Sequence, residues 1–206
     1  MNSLTIHRKG ILFVISAPSG AGKTTLISSL RHKQDFVYSV SCTTRAPRPG
    51  EVHGEDYFFL TQDEFQQHVT DGDFLEYAEV HGRFYGTLKS TVLTHLMNGV
   101  DVLLDIDTIG AASIRMCADP IIQDALADVF IMPPGLDELA RRLRRRGTES
   151  EEQISVRLKN AFGEMEKWRA YRYTIISGSM EEDIEKFRAV MRAERYMSCR
   201  LQLDFA

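Results

Sequence analysis

Apolar residues in this chain form short runs that are separated by segments with helical spacing. Each run is four or five residues long and mostly apolar, which is typical of a strand buried on both faces of a parallel sheet. The predicted strands are 11–15, 100–104, 127–131 and 173–176. The predicted helices are about 23–33, 62–71, 87–98, 108–117, 135–146, 150–170 and 180–199. This alternation predicts an α/β fold with a mainly parallel core sheet.

Three of the predicted helices begin with the pattern of a capping box. In this motif a Ser or Thr side chain accepts a hydrogen bond from the backbone three residues later, where Glu or Gln bonds back. The pairs are Thr61 with Glu64, Ser150 with Gln153, and Ser179 with Glu182.

The stretch 35–90 interrupts the strand and helix rhythm. It is rich in Gly, Pro and aromatic residues and has few long amphipathic segments. These features indicate a small mixed β insertion between the first helix and the next core strand. A second departure is the arginine-rich segment 141–146, which is followed by several glutamates.

Composition and charge narrow the class of protein. The chain has 206 residues, 43% of them hydrophobic, and 25 Lys plus Arg against 29 Asp plus Glu, which gives a net charge of −4. These values indicate one globular domain and exclude a disordered chain or a general nucleic-acid coat. The scattered cysteines Cys42, Cys117 and Cys199 form no disulfide or metal pattern, and no apolar run could span a membrane. We therefore expect a cytoplasmic protein without a membrane or nucleic-acid partner.

A glycine-rich loop follows the first predicted strand and leads into the first predicted helix. Its sequence matches the phosphate-binding P-loop, except that Ala17 stands where the first glycine is usual. Glycine at this spacing lets backbone N–H groups surround a phosphate, Lys23 reaches the β- and γ-phosphates, and the Thr24 hydroxyl is placed to bind Mg²⁺. The predicted nucleotide-phosphate site comprises Ala17, Pro18, Ser19, Gly20, Ala21, Gly22, Lys23, Thr24 and Thr25.

A second anion-binding pattern lies in the insertion. Arg45 and Arg48 stand three residues apart in a segment stiffened by prolines, and Tyr57 follows. Two forked guanidinium groups suit a terminal phosphate. A solvated basic turn with a tyrosine packed in the core is the alternative that these residues alone leave open.

Taken together, the motifs of this chain resemble those of the guanylate kinase family, in its bacterial, single-domain form. The resemblance is carried, in the family's order, by SAPSGAGKTT (16–25), SCTTRAPRPGEVHGEDYFF (41–59), FLEYAEVHGRFYGT (74–87), LLDID (103–107) and RRLRRRGTESEE (141–152). It implies a P-loop three-layer fold over 1–206, with a core of about 1–34, 91–134 and 171–206. It also implies a GMP-binding insertion at about 35–90, a helical lid at about 135–170, and transfer of phosphate from ATP with Mg²⁺ to GMP.

The resemblance also assigns roles in acceptor binding. It implies that Ser41 and Glu76 read the guanine base, because a carboxylate accepts hydrogen bonds from both N1–H and the 2-amino group. The remaining GMP-binding residues that it implies are Arg45, Arg48, Tyr57, Tyr85, Thr87 and Asp107. It also implies that Asp105 acts on Mg²⁺ through water, beside Thr24. An alternative for Asp107 is to cap the helix predicted to begin at residue 108.

The arginine-rich segment resembles the family's catalytic lid. Arg142, Arg146 and Arg157 match the motif positions and, with Lys23 and Arg45, would neutralise charge on the transferred phosphoryl group. Arg141, Arg144 and Arg145 fit an ordinary solvated helix face instead.

Two positions depart from the family pattern. Ile109 stands where Gln is common, and Ser177 and Gly178 stand where the family often has Asn and Asp near the adenine pocket. The second departure leaves the contact to the donor base open. Other functions that remain open are a P-loop kinase for another small phosphorylated acceptor and a non-catalytic binding module. The sequence leaves the oligomeric state undetermined.

Overall fold

The computed structural model describes residues 4–31, 35–80, 82–146 and 150–205. Its strands are β1 (Leu4–Arg8), β2 (Leu12–Ser16), β3 (Val37–Tyr38), β4 (Cys42–Thr43), β5 (Phe58–Phe59), β6 (Phe74–Val80), β7 (Arg83–Leu88), β8 (Val102–Asp105), β9 (Leu126–Met132), β10 (Tyr173–Ile176) and β11 (Leu201–Phe205). Its α-helices are α1 (Lys23–Arg31), α2 (Gln62–Asp71), α3 (Lys89–Met97), α4 (Thr108–Arg115), α5 (Pro120–Ala125), α6 (Leu136–Arg146), α7 (Glu151–Met165) and α8 (Met180–Arg195).

The core is a five-stranded sheet in the order β10-β9-β2-β8-β3, and all its strand pairs are parallel. The central strand β2 is completely buried because both of its faces are covered by helices. Leu12 and Val14 pack on the side of α3 and α4, whereas Phe13 and Ile15 pack on the side of α1 and α8. This three-layer arrangement confirms the predicted α/β fold with a mainly parallel sheet.

The stretch after α1 forms a second sheet of mixed direction, as predicted. Its order is β5-β4-β7-β6, with β4 and β5 parallel and the other pairs antiparallel. Helix α2 packs on it through Phe65, which is buried and stacks on Phe74 and Phe84 at ring-centroid distances of 4.5 and 5.4 Å. This aromatic contact anchors α2 to the sheet that carries part of the site.

Helices α6 and α7 pack on each other through a small core of Leu139, Leu143, Ile154 and Ala161. The three predicted capping boxes are confirmed at the starts of α2, α7 and α8. The helix predicted over 150–170 ends at Met165 and continues as a 3-10 helix over Glu166–Ala170.

The sequence analysis missed the short helix α5 and the pairing of the two chain ends. Strands β1 and β11 form an antiparallel ribbon, and α8 ends at Arg195 rather than at residue 199. Buried Asp101 joins the two ends of the chain, because it pairs with both Arg8 and Arg195. No single local pattern encodes this contact, which brings together residues about 90 positions apart. None of the described helices is long and apolar enough to cross a bilayer.

Candidate active site

Two cavities open at the carboxyl edge of the core sheet, where ligands bind in open α/β folds. The first cavity, of about 310 Å³, is lined by Lys23, Tyr38, Ser41, Tyr57, Glu76, Ala78, Val80, Tyr85, Gly86, Asp105, Ile106 and Asp107. The second cavity, of about 350 Å³, is lined by Gly20, Gly22, Thr25, Glu138, Arg142, Arg145, Ser177, Gly178, Met180 and Asp183. The P-loop and the start of α1 contribute to both.

A larger cavity of about 750 Å³ lies at the opposite edge of the sheet, beside the β1–β11 ribbon. Arg8 and Arg200, which line it, are paired with buried Asp101 and Glu194, and Lys9 is paired with Asp124. We therefore place the candidate site at the carboxyl edge.

The loop between β2 and α1 has the geometry of an anion-binding loop. Gly20 and Gly22 have φ values of 90° and 101°, which a residue with a Cβ adopts only with strain. The Ala21 N–H donates to the Pro18 carbonyl at 3.1 Å, which tightens the turn. Helix α1 begins at Lys23, and the first N–H groups of a helix have no partner within the helix. Their dipoles favour a phosphate at this position.

Lys23 lies between the loop and the end of β8. Its Nζ is 2.6 Å from Asp105 Oδ1 and donates to the Ile106 carbonyl at 2.8 Å. Thr24 and Thr25 follow on the exposed first turn of α1. The lysine therefore stands at the boundary between the nucleotide loop and the first cavity.

Arg45 lies just after β4 of the insertion sheet, where neighbouring side chains hold it in place. Its two terminal nitrogens donate to both carboxylate oxygens of Glu51, at 2.9 and 2.8 Å, and its guanidinium lies 5.3 Å from the centroid of Tyr57. The Arg45 guanidinium also holds the pKa of Glu51 below its ordinary value. Tyr57 contacts Tyr85 edge to face at 6.1 Å. Arg48 is exposed, and neither Arg45 nor Arg48 is one of the residues that line the first cavity.

Glu76 is a buried carboxylate, with 8% of its surface exposed, in the wall of the first cavity. Thr87 stands opposite it on β7 and donates its hydroxyl hydrogen to Glu76 Oε1 at 2.7 Å. Burial raises the pKa of Glu76 to about 7, and the nearby charge of Asp107 acts in the same direction. Gly110 of α4 packs against the other oxygen so closely that a Cβ there would lie 2.7 Å from Glu76 Oε2.

Asp107 caps the N-terminus of α4. This is the role that the sequence analysis gave as the alternative to GMP binding. Its Oδ1 accepts hydrogen bonds from the backbone N–H groups of Ile109 and Gly110, at 2.9 and 2.7 Å. Asp107 also lines the first cavity, so the capping role places its carboxylate beside the candidate acceptor site. Ile109, one of the departures from the family pattern, is exposed on the first turn of the same helix.

Two of the three predicted lid arginines contact the P-loop. Arg142 donates through Nη1 to the Ala21 carbonyl at 3.1 Å and to Ser177 Oγ at 3.2 Å, and Arg157 donates to Ser19 Oγ at 3.2 Å. The side chain of Arg146 lies outside the described part of the structure. Arg144 pairs with Glu151 on the exposed face, as expected of a solvated residue.

The sequence analysis missed one contact between α7 and the P-loop. Glu164 of α7 accepts a hydrogen bond from the Ser19 backbone N–H at 3.3 Å. It follows Arg157 by seven residues, a spacing that puts both on one face of a helix and could have indicated a shared contact.

The second cavity contains a buried pair that the sequence analysis also missed. Ser177 donates its hydroxyl hydrogen to Asp183 Oδ2 at 2.9 Å, and the Gly178 N–H donates to Asp183 Oδ1 at 2.8 Å. Asp183 lies on the first turns of α8 and is only 5% exposed. The positions of Ser177 and Asp183 in the sequence match no known motif, so the sequence did not indicate this pair.

Comparison with known proteins identifies the family. The model of the family described as guanylate kinase matches residues 9–194. A guanylate kinase of Clostridium perfringens is 41% identical over 203 residues, which is 98% of this chain and 92% of that protein. A guanylate kinase of Salmonella typhimurium is 47% identical over 190 residues, covering 91% and 89% of the two chains. The crystal structure of guanylate kinase from Anaplasma phagocytophilum superposes with a TM-score of 0.75 at 33% identity, covering 95% and 92%. The P-loop lysine and a buried glutamate line one cavity of this structure, and by these matches the chain belongs to the guanylate kinase family.

Proposed function

We propose that this chain transfers the γ-phosphoryl group of ATP to the phosphate of GMP, producing ADP and GDP. The observation that carries the proposal is Glu76, a buried carboxylate in a cavity that it shares with the P-loop lysine Lys23. Family membership over nearly the whole chain supports the same reaction and favours it over another small phosphorylated acceptor or a non-catalytic module.

Guanine recognition would depend on the Glu76 carboxylate. Guanine presents N1–H and the 2-amino group side by side, and an ionised carboxylate accepts from both. Adenine lacks the 2-amino group and has an acceptor at N1, so it would leave a buried charge unpaired. Thr87 donates a hydrogen bond to one carboxylate oxygen of Glu76, and Ser41 lines the same cavity as Glu76. These two observations support the assignment of Thr87 and Ser41 to the base site.

The GMP phosphate would be held by Arg45, Arg48, Tyr57 and Tyr85. Arg45 is already oriented by its two hydrogen bonds to Glu51 and by its contact with Tyr57, so its guanidinium loses little freedom on binding. Asp107 would contact the acceptor nucleotide from the end of the core sheet.

Transfer requires no general base, because the attacking oxygen of GMP is already anionic. Catalysis would come from alignment of the two phosphates and from the positive charge of Lys23, Arg45, Arg142, Arg146 and Arg157. The contacts of Arg142 and Arg157 with the P-loop support a lid that closes on the donor phosphates. Closure would also exclude water, which would otherwise accept the phosphoryl group.

The residues at this edge fit a Mg²⁺ ion that arrives with the nucleotide. Among the described residues there is no cluster of three potential metal ligands, but Mg²⁺ usually takes one or two protein oxygens and completes its shell with water and phosphate. Thr24 on the first turn of α1 would bind it directly, and Asp105 at the end of β8 would bind it through water. The ion would neutralise the β- and γ-phosphate charges.

A coupled spectrophotometric assay tests the proposal with ATP, Mg²⁺ and one nucleoside monophosphate at a time. We expect ADP formation with GMP and at least about 100-fold lower kcat/KM with AMP. Absence of turnover with GMP, or equal turnover with AMP, would refute the assignment. Unchanged GMP turnover in Glu76→Ala would favour another acceptor, and absence of ATP binding would favour a non-catalytic module.

We propose that the protein is cytoplasmic, and the only observation that supports this location is the state of its cysteines. Cys42, Cys117 and Cys199 are all free, as is usual in the reducing cytoplasm.

A further inference from the structure

Two side chains of α7 hold the same serine of the P-loop. The Ser19 backbone N–H donates to Glu164 Oε2 at 3.3 Å, and Arg157 Nη1 donates to Ser19 Oγ at 3.2 Å. Arg157 and Glu164 are seven residues apart, which is about two helical turns, so both lie on one face of α7. This face of α7 therefore lies on the loop that would bind the donor phosphates.

The contact of Glu164 occupies a hydrogen-bond donor of the loop with an anion. In a P-loop the backbone N–H groups surround the phosphates of the nucleotide. An ionised carboxylate resembles a phosphate in that it carries negative charge and only accepts hydrogen bonds. Glu164 is thus an anion of the chain itself at an anion-binding loop.

The charges around Glu164 show which part of the loop it faces. Burial raises the pKa of Glu164, whereas the hydrogen bond from Ser19 and the positive charges of Lys167 and Lys23 oppose this shift. The carboxylate is therefore close enough to Lys23 to interact with its charge. Because Lys23 of a P-loop reaches the β- and γ-phosphates, the terminal phosphate of a donor would approach Glu164.

The segment that carries Glu164 has a separate anchor. Lys167, in the 3-10 helix that follows α7, donates through Nζ to Thr108 Oγ1 at 3.1 Å, at the start of α4. Glu164 itself is only partly buried. A change of side-chain rotamer is therefore enough to withdraw its carboxylate from Ser19 while Lys167 keeps the segment in place.

We propose that Glu164 is an internal substitute for a donor phosphate: it holds the empty P-loop and leaves when the γ-phosphate of the nucleotide arrives. The carboxylate would then lower the affinity for nucleoside triphosphates, because each binding event must break its contact with Ser19. The inference rests on the proposed function, because it takes the P-loop as the donor site.

Calorimetric titration of the full-length chain and of Glu164→Gln tests this role, in the presence of Mg²⁺. The ligands are ADP and the β,γ-imido analogue of ATP, which is not consumed. Glutamine keeps the length of the side chain and removes its charge, so we expect the variant to bind the ATP analogue at least about 5-fold more tightly. The gain with ADP should be smaller, because ADP has no γ-phosphate. A merely structural role of Glu164 would weaken the binding of both ligands alike.

Glu166→Gln is the matched control, because it removes the same charge from an exposed position two residues further on. It should change either affinity by less than about 2-fold, since solvent and salt screen an exposed charge. Glu164→Ala removes both the charge and the contact, and it should bind the ATP analogue more tightly as well. Urea unfolding shows that each variant is folded.

The inference is overturned if folded Glu164→Gln binds the ATP analogue no more tightly than the control does, or gains equally with both nucleotides. Tighter binding of the ATP analogue supports it even if the unmodified chain transfers no phosphate to GMP. Transfer to GMP together with an unchanged affinity in the variant refutes the inference and leaves the proposed function intact.

Discussion

Replacement of Glu76 by Gln should stabilise the ligand-free protein while destroying its recognition of GMP. Glutamine has the same shape, and its carbonyl oxygen can accept the hydrogen bond from Thr87 that Glu76 Oε1 accepts. It carries no charge, so it avoids the cost of burying a carboxylate. The two effects have one physical cause, because the buried charge that opposes folding is the group that would bind guanine.

The magnitude of the stabilisation follows from the pKa of Glu76. Burial raises this pKa from 4.5 to about 7. Between pH 4.5 and 7 the native state therefore binds more protons than the unfolded state, and the free energy of unfolding falls as the pH rises. Above pH 7 the accumulated loss is about 3 kcal/mol, whereas below pH 4.5 both states are protonated and the loss vanishes.

Urea unfolding of the original protein and Glu76→Gln at pH 5 and pH 8 measures this difference. We expect the variant to be more stable by about 3 kcal/mol at pH 8 and by much less at pH 5. In glutamine one carboxylate oxygen becomes an NH₂ group, which cannot accept, and the other oxygen loses its charge, so kcat/KM for GMP should fall by about 100-fold or more. An equal stability difference at the two pH values, or unchanged GMP turnover, would refute the reasoning.

Three further substitutions test other parts of the structure. Arg45→Lys should raise the KM for GMP about 10-fold or more without weakening ADP binding, because lysine lacks the planar fork; steady-state kinetics and calorimetry measure the two. Gly110→Ala should also raise the KM for GMP, since the new Cβ would lie 2.7 Å from Glu76 Oε2. Asp101→Ala should lower the free energy of unfolding by about 3–5 kcal/mol, because it leaves two arginines without their buried partner.

Matched variants distinguish these effects from general damage. Gly163→Ala introduces the same methyl group on α7, where nothing lies within 4 Å, and should leave the KM for GMP unchanged. Asp124→Ala removes an exposed partner of Lys9 and should cost less than about 1 kcal/mol. A loss of ADP binding in Arg45→Lys, or equal costs for Asp101→Ala and Asp124→Ala, would contradict the corresponding prediction.

The sequence by itself determined the elements that local physics specifies. The apolar runs predicted β2, β8, β9 and β10 to within two residues, because a strand covered on both faces must be apolar at nearly every position. Capping boxes predicted three helix starts, since the hydrogen bonds form between residues three apart. The P-loop could also be identified from the sequence, because its glycines, lysine and threonine all lie between Gly20 and Thr24.

The resemblance to the family, rather than local chemistry, drew attention to Glu76. A single glutamate in a strand looks like a solvated residue, and its burial depends on Thr87 across the sheet and Gly110 on a distant helix. Only the tertiary structure brings these together, because the cavity closes between the insertion and the core sheet.

The same reason explains what the sequence missed. Asp183 becomes a buried acceptor only because the first turns of α8 fold back on the end of β10 and next to the P-loop. Asp101 joins the two ends of the chain across about 90 residues on each side. Short-range patterns determined which helices and strands form. Packing between elements that are distant along the chain decided which isolated polar residues are buried and which partners they have.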